Sequence, residues 1–304
     1  SSDLDILIKT RAIVTVDELV KEFIDEKRNY IRPKTHDRYT NHFIPFQEFI
    51  NTYFPDASRD ISLIDAHHIK ECVDYLAEKR SEQKWEAETI NRMIQMVSSL
   101  FIYAIKRKYR VDNPTVDVRK LPVLQKDSPE YFSYEELKKI WEEVDPFWLP
   151  AFQFLYYTGI RKGEMINLTW DKVNLTNKPP YIRIVSSSDW KTKTGKARML
   201  HLHKKAIKII KNQIGLHPKY VFISKVGNQV HPNTPYNSLK RALNRLKLTG
   251  DVHKLRHTFA SHLVMKGANV YDVQNQLGHS KIEMTMKYSH LSPEHNQSVV
   301  NLLK

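Results

Sequence analysis

Ile90, Met93, Ile94, Val97, Phe101, Ala104 and Ile105 keep to one stripe at helical spacing, over a stretch from about Ala87 to Arg107. A helix that is apolar along one side must bury that side against partners, so this stretch commits the chain to packed helices. The partners precede it. Thr15-Val16-Asp17-Glu18 has the form of a capping box and predicts a first helix from about Val16 to Lys27. Pro33 separates it from a second helix, Lys34 to Tyr53, which Pro55 and Asp56 end, and Asp65 to Arg80 is a third. Cys72, the single cysteine, falls on that third helix and is expected to be a small buried apolar residue. One cysteine excludes an internal disulfide and any cysteine-rich zinc site, which fits a reducing cytosolic compartment.

Residues 120–129 break the pattern with Pro122, Pro129 and a polar run, Gln125 to Ser128. The expected organisation is a helical domain over 1–120, a linker over 121–132 and a second domain over 133–304. Ser133-Tyr134-Glu135-Glu136 is another capping box, and helical pattern continues from Phe152 to Leu168 around a break at Thr158-Gly159. Alternation in Tyr181 to Val185 and in Arg198 to Leu202 predicts two strands of a hairpin, with Lys193 to Lys196 at its turn, and Tyr220 to Ser224 reads as a further strand. Helices follow at about Asp251 to Lys266, at a short segment ending near Gly278, and from Ser280 to about Ser289. Ser292 and Pro293 read as the cap and first residue of a last helix over 293–304. The fold class expected is mainly α in two domains, the second a mixed α+β domain with a small antiparallel sheet.

With 41% apolar, 27% charged and 11% aromatic residues, the 304-residue chain is an ordinary folded protein; disorder and collagen-like repeats are excluded. No run approaches a membrane span, and the opening residues SSDLDILIKTRAI lack a signal pattern. Charge is divided unevenly. Residues 1–127 hold 21 basic and 21 acidic side chains, so the net +14 lies wholly in 128–304, and Ile160 to Ala260 alone carries 21 basic against 4 acidic. That window calls for a polyanionic partner, nucleic acid or an anionic membrane surface.

The window also holds residues suited to phosphodiester chemistry. In Val252-His253-Lys254-Leu255-Arg256-His257, Leu255 shares a core-facing side with Phe259 and Leu263, while His253, Arg256 and His257 fall on another arc. An imidazole moves protons and a guanidinium fork matches two phosphate oxygens. A solvated basic face is the plainer reading of these three, and a zinc site is disfavoured because the metalloprotease glutamate is absent. His279 follows Gly278, Ser280-Lys281-Ile282-Glu283 resembles a capping box, and Tyr288 lies near the end of the helix this starts. Upstream, Arg161 follows Gly159, with Glu164 one turn on where it can buttress a guanidinium.

Thr158-Gly159-Ile160-Arg161 with Glu164, Lys193-Thr194-Gly195, His253-x-x-Arg256-His257, Leu277-Gly278-His279 and Tyr288 with His290, in that order, resemble the catalytic set of the tyrosine recombinases and phage-type integrases, the Xer-like enzymes included. The resemblance implies a four-helix, SAM-like core-binding domain followed by a catalytic domain, the two closing as a clamp on duplex DNA. It implies a metal-independent DNA strand transferase without cofactor. Arg161 and Arg256 would hold the non-bridging oxygens, His279 would donate to them, Tyr288 would attack phosphorus, His253 would take its proton, and Lys193 would protonate the leaving 5′ oxygen. Lys191 and Lys196 flank Lys193 and compete for that last role. Glu164 and His257 would support the set, the latter as readily by packing as by chemistry.

DNA contacts are expected from Arg92, Lys106, Lys108, Lys191 and Lys196. The partners implied are double-stranded DNA with inverted-repeat core sites, further copies assembling to a dimer and then a tetramer through a Holliday junction, and accessory or directionality proteins, in the cytoplasm at the nucleoid; no membrane partner is implied. The terminal helix 293–304 would pack on its own domain or, as the resemblance allows, dock on a neighbouring protomer. Two other readings fit the same residues: a type IB topoisomerase-like relaxation of DNA, and a non-catalytic DNA-binding protein on the same scaffold.

Overall fold

The capping box at Thr15 forms as the sequence predicts: the Glu18 amide donates to the Thr15 hydroxyl at 3.1 Å, and the Glu18 carboxylate accepts from the Thr15 amide at 3.0 Å. Both satisfy donors that a helix start leaves without partners. The computed structural model describes residues 13–31, 33–79, 85–123, 129–186, 190 and 196–292. The chain divides into two units, residues 1–125 and 126–304.

The first unit contains α1 (Val16–Lys27), α2 (Pro33–Tyr53), α3 (Pro55–Arg59), α4 (Ala66–Glu78) and α5 (Ala87–Lys106). Pro55 ends α2 as expected, but it also opens α3, which the sequence reading lacks. Proline is tolerated at a first helical position because its missing N–H has no partner there. The α5 stripe is buried as predicted at Ile90, Met93, Ile94, Val97, Phe101 and Ala104, against Phe23, Phe43, Phe46, Ile50 and Leu76. Each of these side chains larger than alanine contributes about 1.5–3 kcal/mol on leaving water. Cys72 is buried in this core, and burial pushes its thiol up to about 12, so it is an inert packing residue.

The second unit runs α6 (Tyr134–Glu143), α7 (Leu149–Thr158), α8 (Lys162–Ile166), β1 (Val173–Asn174), β2 (Tyr181–Ile184), β3 (Arg198–His201), α9 (Lys204–Lys211), α10 (Asn233–Arg245), α11 (Val252–Met265), α12 (Val270–Leu277) and α13 (Glu283–Met286). The strands form an antiparallel sheet in the order β1-β2-β3, with Tyr181 opposite His201 and Ile184 opposite Arg198. The main core gathers Phe132, Ile140, Phe152, Phe154, Ile182, Leu200, Leu243 and Leu255. A smaller one joins Ala260, Val264, Val273, Leu277 and Tyr288.

Three local expectations change. Tyr220 to Ser224 is not a strand but carries two isolated bridges, Thr169 with Tyr220 and Ile223 with Gln229. Ser280 caps nothing: α13 begins only at Glu283, its N-cap Ile282 makes no side-chain cap, and the helix stops at Met286. α9 and α10 escape the sequence reading because one is eight residues long and the other is mostly polar, with Leu239, Ala242 and Leu243 on its buried side. The helix expected over 293–304 lies outside the described residues.

Both ends of the stretch read as a linker are packed. Leu121 exchanges two hydrogen bonds with the Asn91 side chain at 2.8 and 2.9 Å, while the Phe132 amide donates to the Thr258 hydroxyl at 3.0 Å.

Candidate active site

Two helix ends in the second unit create the first fixed point. α7 stops at Gly159 and α12 at Gly278, both in the left-handed conformation (φ 65° and 66°) that glycine adopts without penalty. Such ends leave carbonyls without intrahelical partners and carry the negative end of the helix dipole. Arg256, on α11, fills the space between them: its Nη1 donates to the Gly159 carbonyl and its Nη2 to the Leu277 carbonyl, each at 2.7 Å. Burial, then the Arg161 charge, push this guanidinium down to about 9, which leaves it a cation at neutral pH. The glycines at 159 and 278 therefore do more than end helices: they present the carbonyls that aim an arginine.

Arg161 caps α8 and is held by Glu164 one turn on. Its amide donates to Glu164 Oε2 at 2.9 Å and its Nη1 to Oε1 at 3.1 Å. Glu164 is buried, 2% exposed, so this is no surface ion pair. Its second cation comes from β3: Arg198 donates Nη1 and Nη2 to the two carboxylate oxygens at 3.0 and 2.7 Å. Although burial opposes it, the Arg198 hydrogen bonds hold this carboxyl below its ordinary range. Arg198 was not expected in the site, although its place five residues past Lys193 in the same hairpin was visible in the sequence.

His279 follows Gly278, and its Nδ1 lies 2.8 Å from the hydroxyl of Thr285, which is fully buried. With Nδ1 accepting from Thr285, Nε2 carries the proton and is a donor. Burial, then Arg256 and Arg161, push His279 down to about 3.

Tyr288 is 1% exposed and belongs to the small apolar core. Burial pushes its phenol up to about 12. The imidazole on its oxygen is His257, not His253: His257 Nδ1 lies 2.5 Å from Tyr288 Oη. His253 stands edge-on to His257, ring centroids 4.8 Å apart. Burial, then repulsion from the His253 ring and the charges of Lys287 and Arg256, push His257 down to about 3. Desolvation against its neighbours, then the Arg256 charge, push His253 down to about 4, although part of this residue faces solvent. Both are neutral at pH 7. A cleft of about 560 Å3 opens here, lined by Tyr236, His253, Lys254, His257 and Lys287 among others.

The structure thus brings Arg161, Glu164, His253, Arg256, His257, His279 and Tyr288 into one neighbourhood of the second unit. Lys191 and Lys193 lie outside the described residues; Lys196 is exposed beside β3. In the first unit, Arg92 is exposed and pairs with Glu88 at 2.6 Å, and Lys106 and Lys108 are exposed at the end of α5. Between them, Arg107 is taken up by Glu22 and Glu26, and Arg110 is buried, donating to the Ile61 carbonyl. Thr285, Arg198 and Lys287 are the site residues sequence reasoning missed. Thr285 and Lys287 sit three and one residues before the tyrosine, where nothing in the pattern sets them apart.

Two preplaced guanidinium groups, a donor imidazole and a phenol already hydrogen-bonded to a neutral base define a class: enzymes that transfer DNA strands through a tyrosine. The sequence profile of the phage integrase family matches residues 131–295, and that of the phage integrase SAM-like domain matches residues 15–119. The chain is 31% identical to a tyrosine recombinase of Thermosipho africanus over 222 residues, covering 71% of this chain and 76% of the relative. It is 28% identical to the tyrosine recombinase XerD of Staphylococcus aureus over 258 residues, covering 79% and 83%. A lambda integrase dimer bound to a core site has the same fold, with a TM-score of 0.77 at 17% identity, over 94% of this chain and 80% of that one. The chain belongs to the phage integrase family.

Proposed function

We propose that this chain cleaves and rejoins DNA at specific sites through a covalent link between Tyr288 and a 3′ phosphate. The observation that carries the reading is the contact between Tyr288 Oη and His257 Nδ1, next to an arginine clamped between two helix ends. The phenol gives its proton to His257, the Tyr288 oxygen forms a bond to phosphorus, and the bond from phosphorus to the 5′ oxygen breaks. Arg161, Arg256 and His279 hold the non-bridging oxygens as negative charge grows on them. The leaving oxygen takes a proton from Lys193. Attack by a 5′ hydroxyl of another strand reverses every step, because the ester conserves the bond energy.

His257 replaces His253 as the proton acceptor in this reading, since it is the imidazole in reach of the phenol. His253 lines the same cleft, its ring edge-on to that of His257. The helical unit over 1–120 grips the same duplex through Lys106, Lys108 and Arg92, and the unit over 133–304 carries out the chemistry. Copies assemble on inverted-repeat core sites as a dimer and then as a tetramer through a Holliday junction, assemblies that solved structures record for lambda integrase. Accessory proteins set direction, and the protein works at the nucleoid.

The test is a nicked suicide duplex carrying the cognate site. The parent protein should form a covalent protein–DNA band that Tyr288→Phe abolishes; no band from the parent would sink the reading. Lys193→Ala should slow cleavage on an ordinary 5′ oxygen and recover on a 5′ thiolate, which needs no proton to leave.

A further inference from the structure

We propose that Arg198 is a positioning residue that occupies the Glu164 carboxylate and so leaves the Arg161 guanidinium free for the scissile phosphate. The inference rests on the strand-transfer reading above.

Glu164 is the buried carboxylate facing Arg161 and Arg198, with Arg256 close enough to feel all three charges. A carboxylate offers two oxygens, and a guanidinium that takes both forms the strongest pair available to either. Arg198 is the side chain in that position, through Nη1 and Nη2 at 3.0 and 2.7 Å. Arg161 reaches the same group with Nη1 alone at 3.1 Å, its second hold being a backbone amide. Its Nε and Nη2 are not engaged by Glu164. Were Arg198 absent, Glu164 would pull Arg161 into the two-pronged pair, cancelling the charge that binds phosphate.

The same side chain supports a second part of the site. A Cβ at Gly278 would stand 2.8–2.9 Å from Arg198 Cδ, Nε and Cζ, so the arginine lies flat against the backbone that presents His279. Among the described residues Arg198 Nε is buried without a hydrogen-bond partner, consistent with a side chain placed by its two terminal nitrogens and by this contact. β3 thus delivers one residue that touches both the Glu164 and the Gly278 segments.

The test measures covalent adduct formation at saturating nicked duplex. Arg198→Met should slow it about a hundredfold, the scale on which loss of one preplaced cation acts, while affinity for the uncut duplex changes less than threefold. On a duplex with a methylphosphonate at the scissile position, which lacks one anionic oxygen, the deficit relative to the parent should shrink below tenfold. Adding Glu164→Gln to Arg198→Met should recover at least tenfold on the ordinary phosphate, because an amide does not compete for Arg161. If Arg198→Met fails to fold, Arg198→Lys keeps the stem and the charge without the fork and should show the same substrate-dependent deficit, about tenfold.

Equal deficits on both substrates, or an adduct rate unchanged in Arg198→Met or Arg198→Lys, would overturn the proposal. An inactive parent on ordinary phosphate would instead refute the reading beneath it.

Discussion

Three imidazoles, His253, His257 and His279, crowd the arginines of this site and are held neutral by partial desolvation, least complete at the more exposed His253, and by the surrounding cations, with values near 3 to 4. In the unfolded chain each would titrate near 6.5. Below that pH the unfolded state binds protons the folded state refuses, so stability falls as pH drops through about 6.5 and the loss continues toward 4. Glu164, whose carboxyl is held low, adds to the loss only below about 4.5, so the interval between pH 5 and 6.5 belongs to the histidines. We expect the melting temperature to decline over that interval and His257→Gln to flatten the decline; a parent protein with constant Tm from pH 7 to 5 would contradict the neutral imidazoles. His257→Gln should also slow covalent adduct formation on the suicide duplex by about a hundredfold, and by more than His253→Gln does. The reverse ranking would return the proton acceptor to His253. The residue types were legible: His253-x-x-Arg256-His257 announces imidazoles beside an arginine. Which imidazole meets the phenol was not, because Tyr288 is 31 residues away and its approach is set by packing of α12 and of the Tyr288 segment itself on α11.

At the scale of elements, the site depends on where helices stop. Gly159 accepts a hydrogen bond from Arg256 and also lets α7 press against α11: a Cβ there would overlap the Phe259 ring. Gly159→Ala should therefore lower the unfolding free energy by more than the ~1 kcal/mol of a left-handed alanine, seen as a lower urea midpoint, and should slow adduct formation as well. An alanine variant with parental stability would show the close approach to be unnecessary. Ser133→Ala provides the contrast. It removes the hydroxyl that accepts from the Glu136 amide at 3.1 Å, so it should cost about 1 kcal/mol in the same titration and leave DNA cleavage unchanged. Caps of this kind, at Thr15 and Ser133, are readable because both partners lie within four residues. Ser280 shows the limit: the same four-letter pattern precedes α13, yet the chain there turns to present Thr285 to His279, and the box does not form.

For the whole molecule, charge is the property the sequence states most plainly. The +14 resides in residues 128–304, which also contain Arg161, Arg198 and Arg256. Each phosphate neutralised releases counterions, so affinity for duplex DNA should fall at least a hundredfold between 50 and 200 mM salt, measured by filter binding or anisotropy. A nearly flat salt response would separate the basic window from DNA binding. The amino-acid sequence by itself determined the helical character of both halves, the hairpin, the caps and the order of the motifs, because these follow from periodicity and from interactions between near neighbours. Tertiary structure alone decided that Arg198 shares Glu164 with Arg161, that Arg256 spans the ends of α7 and α12, and that His257 meets Tyr288. Those contacts join residues 21 to 97 apart, and which of several arginines or imidazoles fills a buried position depends on how the helices between them pack, a property that no local pattern carries.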